Sequence, residues 1–463
     1  MYTETTYRLK FQHAISQSYK SERGVKQGDV LSPLLFNFYI DDLVQALNNN
    51  ATHPVSIGNT SLNILLYADD IVLLSESKSG LQQCLDTLSK YCMSWKLHVN
   101  TCKSKVLIFN SNGKSFQDEF QFLDTSLETV KQYIYLGITM KFNGNFDIAI
   151  SSLADKARKA LFKIKRVIGL NNPCKLLEKL FDTMVVPILL YGCEVWGISK
   201  INYQEATSYE KVHLKFIKEI LGVHCKVSND ACRAELSRLP LQKIVLQSCI
   251  KFLDHVENQN NSLVNKIYQA TKTSNPWVKN LQAILQNLGF SFIVNKDINI
   301  KPYVNSIKQR ITDQFIQMQN ANIQSFNKLT FFSRFYIMNK RPVYVDKLRN
   351  RIDRSMICKI RISAHELAIE KGRYSNVPRS NRFCNACNAN LIEDEEHFLL
   401  HCTAYTEIRD KLLKELKPNI KNLHLMDNNG KLHLLLNNSS LKTLILSSSF
   451  IFNCLNIRKS LLC

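Results

Sequence analysis

The pattern of hydrophobic and polar positions changes once along the chain. Up to about Ile138, short apolar runs of strand length alternate with amphipathic stretches of helical length, which is typical of an α/β or α+β sheet domain. From about Phe146, apolar residues recur every three or four positions with lysine and arginine between them, which predicts a mainly helical region. A polar segment without periodicity, from Val256 to Leu263, indicates a domain boundary or an exposed loop.

The charge balance adds a prediction about partners. The 463 residues include 60 Lys and Arg against 39 Asp and Glu, a formal net charge of +21, and a field of this sign attracts polyanions. Nucleic acid is therefore the favoured partner, and an anionic membrane surface is the weaker alternative.

The cysteines and the apolar segments bear on location. The chain has 14 cysteines and no apolar signal segment near its N-terminus, which predicts an intracellular protein, nuclear or cytoplasmic, with reduced thiols. The stretch from Leu441 to Leu455 is apolar, but polar residues interrupt it and it is shorter than a bilayer requires. We expect a buried helix there and no transmembrane segment.

The densest positive stretch lies between Arg334 and Arg382. Aromatic residues precede or interleave it, and such rings either stack on nucleic-acid bases or fill a protein core. The sequence leaves both roles open for Phe331, Phe332, Phe335, Tyr336 and Tyr344.

Two adjacent carboxylates, Asp69 and Asp70, lie between two apolar runs of strand character. Burying an unpaired carboxylate is costly, so such a pair belongs at a solvated turn or where a cation compensates it. Magnesium is the natural cation because it prefers oxygen ligands and shares its shell with phosphates. A plain β-hairpin, in which the acids supply only turn chemistry, is the alternative.

A glycine-bearing loop with basic and amide side chains, residues 23–28, leads into a predicted helix. Ser32 is the expected N-cap and Pro33 fits the first helical position. Leu34 and Phe38 are expected on a face of this helix that turns inward. The two glycines of the loop let its backbone approach a ligand closely.

These segments resemble ordered motifs of non-LTR (LINE-type) retrotransposon reverse transcriptases. RGVKQGDVLSPLLFNFYIDDL (residues 23–43) is similar to motif B, and YADDIVLL (67–74) is similar to motif C. WKLHVNTCKSKV (95–106) resembles motif D, and YLG (135–137) resembles the primer-grip turn of motif E. The segment PILLYGCEVWG (187–197) is similar to the region after the palm, where a scaffold role is expected.

The resemblance implies an α+β fold class in five segments. An incomplete polymerase palm, an antiparallel sheet with helices, is expected first, followed by a helical thumb or connection region. A helical basic linker, a small zinc-binding segment and a helical tail complete the chain. The corresponding residues are 1–140, 141–258, 259–375, 376–412 and 413–463.

The chemistry that the resemblance implies is RNA-directed DNA synthesis from dNTPs with two magnesium ions. Asp69 and Asp70 would be catalytic metal ligands, and Lys103 is a candidate to protonate the leaving pyrophosphate. Lys105 matches that role nearly as well. The residues implied for nucleotide and template binding are Arg23, Gly24, Gln27, Gly28, Tyr67 and Ala68, and those implied for the primer grip are Tyr135, Leu136 and Gly137.

The family pattern includes a further aspartate from an earlier strand, motif A. The acids before Arg23, Glu4 and Glu22, lie in no matching motif. The segment from Tyr7 to Tyr19 resembles instead the strand pair between motifs A and B. Because two bridged metals need a third acid, we expect little or no polymerase activity from this chain alone. The alternative function is a non-catalytic, basic, zinc-containing protein that binds RNA or DNA.

A second set of ligand-type residues lies near the end of the chain. Cys384 and Cys387 form a CxxC pair, and His397 and Cys402 follow within the segment EDEEHFLLHC. Thiolate and imidazole suit a tetrahedral zinc ion. On a helix, His401 would share a face with His397 and compete with Cys402 for the fourth ligand position. Resemblance to the zinc segment of the same family favours Cys402, and free thiols of a reduced protein are the alternative.

Overall fold

A computed structural model of the chain describes residues 6–20, 24–26, 28–50, 52–110, 119–200, 206–259, 262–295, 298–387, 389–419 and 425–462. The chain forms two compact units. The first comprises Met1–Asn145 and Asn260–Thr273, and the second comprises Phe146–Gln259 and Ser274–Cys463. The first unit combines short strands with helices, and the second is mainly helical, as the hydrophobic pattern predicts. The finer division into five segments stays a prediction.

The first unit is built from short strand pairs. Its described strands form seven two-stranded ribbons, six antiparallel and one parallel, the latter between Val106–Leu107 and Thr129–Val130. The other strands are Thr6–Tyr7, Lys10–Phe11, Ala14–Ile15, Tyr19–Lys20, Val55–Ile57, Thr60–Leu62, Ile64–Tyr67, Asp70–Leu73, Phe120–Phe122, Thr125–Leu127, Gln132–Tyr135 and Ile138–Lys141. The helices of this unit are Ser32–Tyr39, Leu43–Asn50, Lys78–Ser94 and Leu263–Thr271.

The core of the first unit forms around the helix Lys78–Ser94. Ser77 caps this helix, since its hydroxyl accepts a hydrogen bond from the backbone N of Gly80. Buried residues recur on one side of the helix at the spacing of helical turns. They pack with apolar residues of the neighbouring strands, and the buried cluster is Leu43, Leu47, Ile64, Cys84, Leu85, Leu88, Tyr91, Cys92, Val106, Phe120, Phe122 and Leu127.

The helix Ser32–Tyr39 differs from its prediction in two respects. Leu31, and not Ser32, is the N-cap, and Ser32 is the first residue of the helix; its hydroxyl donates to the carbonyl of Lys26, at 2.7 Å. Leu34 and Phe38, expected to face inward, are 53% and 71% exposed. The prediction that these two side chains face inward is therefore wrong.

The second unit is almost entirely helical. Its described helices, with short 3₁₀ and π segments among them, are Asp147–Ile168, Cys174–Leu180, Phe181–Val185, Val186–Leu189, Cys193–Trp196, Ile198–Lys200, Ser208–Leu221, Asn229–Glu235, Gln242–Asn258, Pro276–Asn287, Ser291–Asn295, Lys301–Tyr303, Val304–Ser325, Asn327–Leu329, Thr330–Ser333, Val343–Lys347, Arg351–Arg361, Ala368–Tyr374, Arg379–Asn381, His397–His401, Thr403–Tyr405, Thr406–Leu416, Lys417–Asn419, Asn428–Leu436 and Leu441–Leu462.

Part of the basic stretch between Arg334 and Arg382 serves as internal structure. The guanidinium of Arg361 is buried against the Glu235 carboxylate, at 2.8 Å, and Arg341 holds Glu178 through two hydrogen bonds. The rings that the sequence left open as stacking platforms mostly fill the core. Those that are buried are Phe331, Phe332, Phe335 and Tyr344.

No single described helix is both long and apolar enough to cross a membrane. The helices Asn428–Leu436 and Leu441–Leu461 reach that length and composition only as a pair, with a bend of 101° between them.

A buried carboxylate in the second unit makes stability depend on pH. Glu210 accepts hydrogen bonds from Arg233, at 2.8 Å, and from the backbone N of Leu241, and it contacts the His213 ring. Burial alone would raise the pKa of Glu210, but His213 and Arg233 outweigh burial and lower it from 4.5 to about 2. Because the folded pKa lies below the unfolded one, this contribution to stability is present above pH 4.5 and is lost as the pH falls toward 2.

We therefore expect acid to weaken the second unit through Glu210. The loss should be on the order of 3 kcal/mol between those limits. Urea unfolding followed at pH 7 and at steps below pH 4.5 would measure it. The Glu210→Gln variant should lose less stability over the same range, and an equally steep loss would show that another group is responsible.

Candidate functional site

The acidic pair lies at the tip of a tight hairpin. The strands Ile64–Tyr67 and Asp70–Leu73 pair with Tyr67 opposite Asp70, which leaves Ala68 and Asp69 as a two-residue turn. Ala68 has a φ of 52°, in the left-handed region that alanine rarely adopts. Both aspartates are exposed. The tip therefore presents two solvated carboxylates on a backbone conformation of the kind that costs free energy and recurs at functional sites.

A second hairpin approaches the acidic tip. Gln132–Tyr135 pairs with Ile138–Lys141, and the turn residues Leu136 and Gly137 both have positive φ, of 47° and 81°, as a type I′ hairpin turn requires. Burial, and then the negative charge of Asp70, raise the pKa of Tyr135. The structure thus brings the predicted primer-grip tyrosine within electrostatic reach of the acidic pair.

The two candidate lysines differ in their surroundings. Lys105 forms an ion pair with Glu128, at 2.8 Å. Lys103 is exposed, and its ammonium has no hydrogen-bond or ion-pair partner among the described residues. The backbone of Lys103 is held, because its carbonyl accepts a hydrogen bond from the Tyr133 hydroxyl at 3.1 Å. Lys103 is therefore the lysine whose charge is available to a ligand.

The predicted nucleotide loop is described in part. Arg23 and Gln27 lie outside the described residues. Gly24 and Gly28 have φ values of 82° and 87°, and a Cβ at either position would meet no atom within 4 Å. These glycines are therefore required by backbone conformation rather than by packing, and they leave open space in front of the loop.

Four ligand-type side chains converge in the second unit. Among the described residues, Cys384, Cys387, His397 and Cys402 form the group of three or more potential metal ligands, with all ligand atoms within 4.8 Å of one another. The Sγ atoms of Cys384 and Cys402 are 3.8 Å apart, and Cys387 Sγ lies 3.4 Å from His397 Nε2. Asp69 belongs to no such group in the described part of the chain.

His397 and His401 lie in different surroundings. Residues His397–His401 form a π-helical turn rather than an α-helical one, and His397 is buried whereas His401 is exposed. The side chain of His401 is 45% exposed and meets Asn428, 3.1 Å from its Nε2. Cys402 is fully buried in the cluster. The structure therefore places Cys402, and not His401, beside the other three ligand atoms.

The buried ring of His397 is prepared for ligation. Burial lowers its pKa, which favours the neutral form that binds metals. Its backbone N donates to Asp394 Oδ1, at 2.9 Å, which holds the start of the turn. Its Nδ1 is buried without a partner in the described structure, while Nε2 points to Cys387. A set of three thiols and one imidazole so arranged could hold a metal ion.

Several residues around these sites were not predicted from the sequence. Tyr133, Glu393 and Arg409 contact predicted site residues or their backbone, and Arg458 contacts Glu393. Glu393 belongs to an acidic run next to His397, which could have indicated a role. Arg458 lies far from the cluster along the chain, and only the fold reveals its position.

Comparison with known proteins defines a class for the first unit. Residues 2–140 match the family model described as reverse transcriptase (RNA-dependent DNA polymerase). The chain is similar to the RNA-directed DNA polymerase from mobile element jockey of Drosophila funebris, with 24% identity over 261 residues, which are 55% of this chain and 28% of that protein. These findings support a retrotransposon reverse transcriptase domain in the first part of the chain.

Two further relatives are named for mobile elements. The probable RNA-directed DNA polymerase from transposon BS of Drosophila melanogaster is 30% identical over 208 residues, 42% of this chain and 22% of that protein. The retrovirus-related Pol polyprotein from type-2 retrotransposable element R2DM of the same species is 38% identical over 137 residues, 28% of this chain and 13% of that protein. The chain thus spans a small part of each of these relatives.

Proposed function

We propose that this chain is part of the RNA-directed DNA polymerase of a non-LTR retrotransposon. The observation that carries the proposal is the exposed Asp69-Asp70 hairpin tip beside Tyr135, within a segment that matches the reverse transcriptase family. The net charge of +21 fits an RNA template and a DNA product as partners.

Each of the candidate residues would have a separate role in the reaction. Asp69 and Asp70 would hold Mg²⁺, which activates a primer hydroxyl and neutralises a triphosphate when bound. Lys103 keeps a free ammonium that can give a proton to leaving pyrophosphate. The open backbone at Gly24 and Gly28 leaves room for the incoming nucleotide, and Arg23 and Gln27 belong to the same loop. Tyr135 would support the primer end.

The acidic tip offers only two carboxylates as metal ligands. Two carboxylates of one turn can hold one magnesium ion loosely, whereas two bridged ions need a third acid from another segment. Asp69 and Asp70 have no third ligand-type residue close by in the described structure. We therefore propose that the 463-residue chain by itself carries out little or no DNA synthesis.

Metal binding at the hairpin tests the assignment directly. Mn²⁺ is a spectroscopic substitute for Mg²⁺, and its electron paramagnetic resonance signal falls when the ion binds protein. We expect weak binding that Asp69→Asn reduces severalfold. Asp41→Asn is the matched control, because Asp41 is also an exposed acid of an Asp-Asp pair but lies outside the hairpin. Equal binding by both variants would contradict the metal role of Asp69.

Primer extension tests the limit on activity. The purified chain with an RNA template, a DNA primer, dNTPs and Mg²⁺ should give no more product than the Asp69→Asn variant. Robust synthesis that this substitution abolishes would refute the inactivity and establish the polymerase. Synthesis unaffected by the substitution would refute the assigned site.

We further propose that the second cluster binds zinc. A tetrahedral zinc ion puts two sulfur ligands about 3.8 Å apart and a sulfur and a nitrogen about 3.6 Å apart. The distances of 3.8 Å between Cys384 and Cys402 and of 3.4 Å between Cys387 and His397 match this geometry. Three thiolates and an imidazole, with no open position, fit a structural site rather than a catalytic one.

A further inference from the structure

A buried carboxylate lies directly behind the metal-ligand cluster. Glu393 is only 1% exposed, and its Oε1 is 3.9 Å from the Sγ of Cys384. Its Oε2 accepts a hydrogen bond from the backbone N of Ala368, at 2.5 Å. The backbone of Glu393 also pairs with the segment that carries the cysteine, since its N donates to the carbonyl of Arg382 at 2.9 Å. The carboxylate is thus fixed in position next to a ligand.

The partner of this carboxylate lies 65 residues further along the chain. Arg458 lies near the end of the C-terminal helix Leu441–Leu462 and is 7% exposed. Its Nε and Nη2 donate to the two oxygens of Glu393, at 2.5 and 2.7 Å. Such a two-pronged pair is stronger and more directional than a single hydrogen bond. A continuous chain of contacts therefore runs from Cys384 through Glu393 to the C-terminal helix.

The contact between Glu393 and Arg458 balances the negative charge around the metal cluster. Three thiolates and a neutral imidazole around a dication carry one net negative charge, and the Glu393 carboxylate adds another beside it. A buried charge without compensation is strongly unfavourable, and the Arg458 guanidinium supplies the opposite sign. Arg409 lies on another side, where its Nη2 donates to the Cys402 carbonyl at 2.7 Å. Outer residues of this kind orient ligands and tune metal affinity.

We propose that Glu393 and Arg458 form an outer shell of the metal site and couple its occupancy to the docking of the C-terminal helix. This inference rests on the proposed zinc site. Since coupling between two events is reciprocal, bound metal holds the helix more firmly, and the docked helix raises the affinity for metal. The C-terminal helix then contributes to metal binding although it provides no ligand.

Zinc affinity tests one direction of the coupling. Zinc competition with a chromophoric chelator, on the full chain, should show Arg458→Gln binding zinc roughly 10 to 100 times more weakly than the natural protein. Lys459→Gln is the matched control, because it removes the same charge from the next, exposed position of the helix, and its zinc affinity should be unchanged. Arg458→Lys should lie between the two. An unchanged affinity in Arg458→Gln would overturn the proposal.

Hydrogen exchange tests the other direction and needs no substitution. In the natural protein, removal of zinc with a chelator should speed amide exchange in residues 441–462 at least tenfold, while exchange in the helix Asp147–Ile168 should not change. In Arg458→Gln that zinc dependence should shrink, a result that a merely structural arginine would not give. If the amide exchange rate of the C-terminal helix does not depend on zinc, the coupling is refuted, while the proposal of a zinc site stands. A natural protein that binds no zinc would refute both.

Discussion

Replacing Cys402 with serine is expected to abolish the proposed binding of zinc. Cys402 is fully buried, and its Sγ lies 3.8 Å from that of Cys384, so no solvent molecule can readily replace a lost thiolate. Structural metal sites contribute about 10 to 16 kcal/mol of binding free energy that is also folding free energy. We expect bound zinc to fall from one ion per chain to nearly none after gel filtration, as measured by elemental analysis, with faster proteolysis of the surrounding segment.

His401 supplies the control for this prediction. It is a ligand-type residue next to Cys402, but its side chain is 45% exposed and is turned toward Asn428. The His401→Ala variant should therefore keep its zinc. The reverse result, with zinc lost from His401→Ala and kept in Cys402→Ser, would show that the wide turn is arranged differently and that the ligand set is wrong.

Replacing Arg354 with alanine is expected to destabilise the second unit by about 3 to 5 kcal/mol. The guanidinium is completely buried and donates to backbone carbonyls instead of a carboxylate. It binds the carbonyls of Ile220 and Leu348, each at 2.8 Å, and that of Leu170 at 3.3 Å. Alanine would leave these oxygens buried without donors. Ile220 lies in the last turn of the helix Ser208–Leu221, where carbonyls have no partner within the helix.

Denaturant unfolding followed by circular dichroism would measure this loss as a lower midpoint for the helical unit. Arg349→Ala is the matched control, because Arg349 belongs to the same basic stretch and is exposed. It should change stability by less than about 0.5 kcal/mol. Equal effects of the two substitutions would show that the basic stretch acts through its overall charge and not through the buried guanidinium.

Local features of the two candidate sites could be predicted from sequence. The hairpin tip that carries Asp69 and Asp70 follows from two apolar strands joined by a short connection, because hairpin geometry depends on neighbouring residues. The Cys384-Cys387 pair and the later His397 likewise indicate metal chemistry by type and spacing. Neither inference requires knowledge of distant parts of the chain.

Choices between similar neighbours could not be predicted in this way. Lys103 and Lys105 are equivalent as a motif, and only the Glu128 carboxylate, which engages Lys105, distinguishes them. His401 and Cys402 compete on a regular helix, and they are distinguished by the burial of Cys402 in the cluster and the exposure of His401 beside Asn428. In each case the deciding contact or turn geometry depends on the folded surroundings of the residue.

The sequence by itself determined the order of a strand-rich unit and a helical unit, the acidic hairpin and the residue types of the metal cluster, because these depend on periodicity and short-range spacing. Tertiary structure alone decided which arginines of the basic stretch are buried, that Leu34 and Phe38 stay exposed, and that Arg458 reaches Glu393. The physical reason is that burial and charge pairing depend on which distant segments come into contact. A count of charges or apolar positions does not show which segment will contact a given residue.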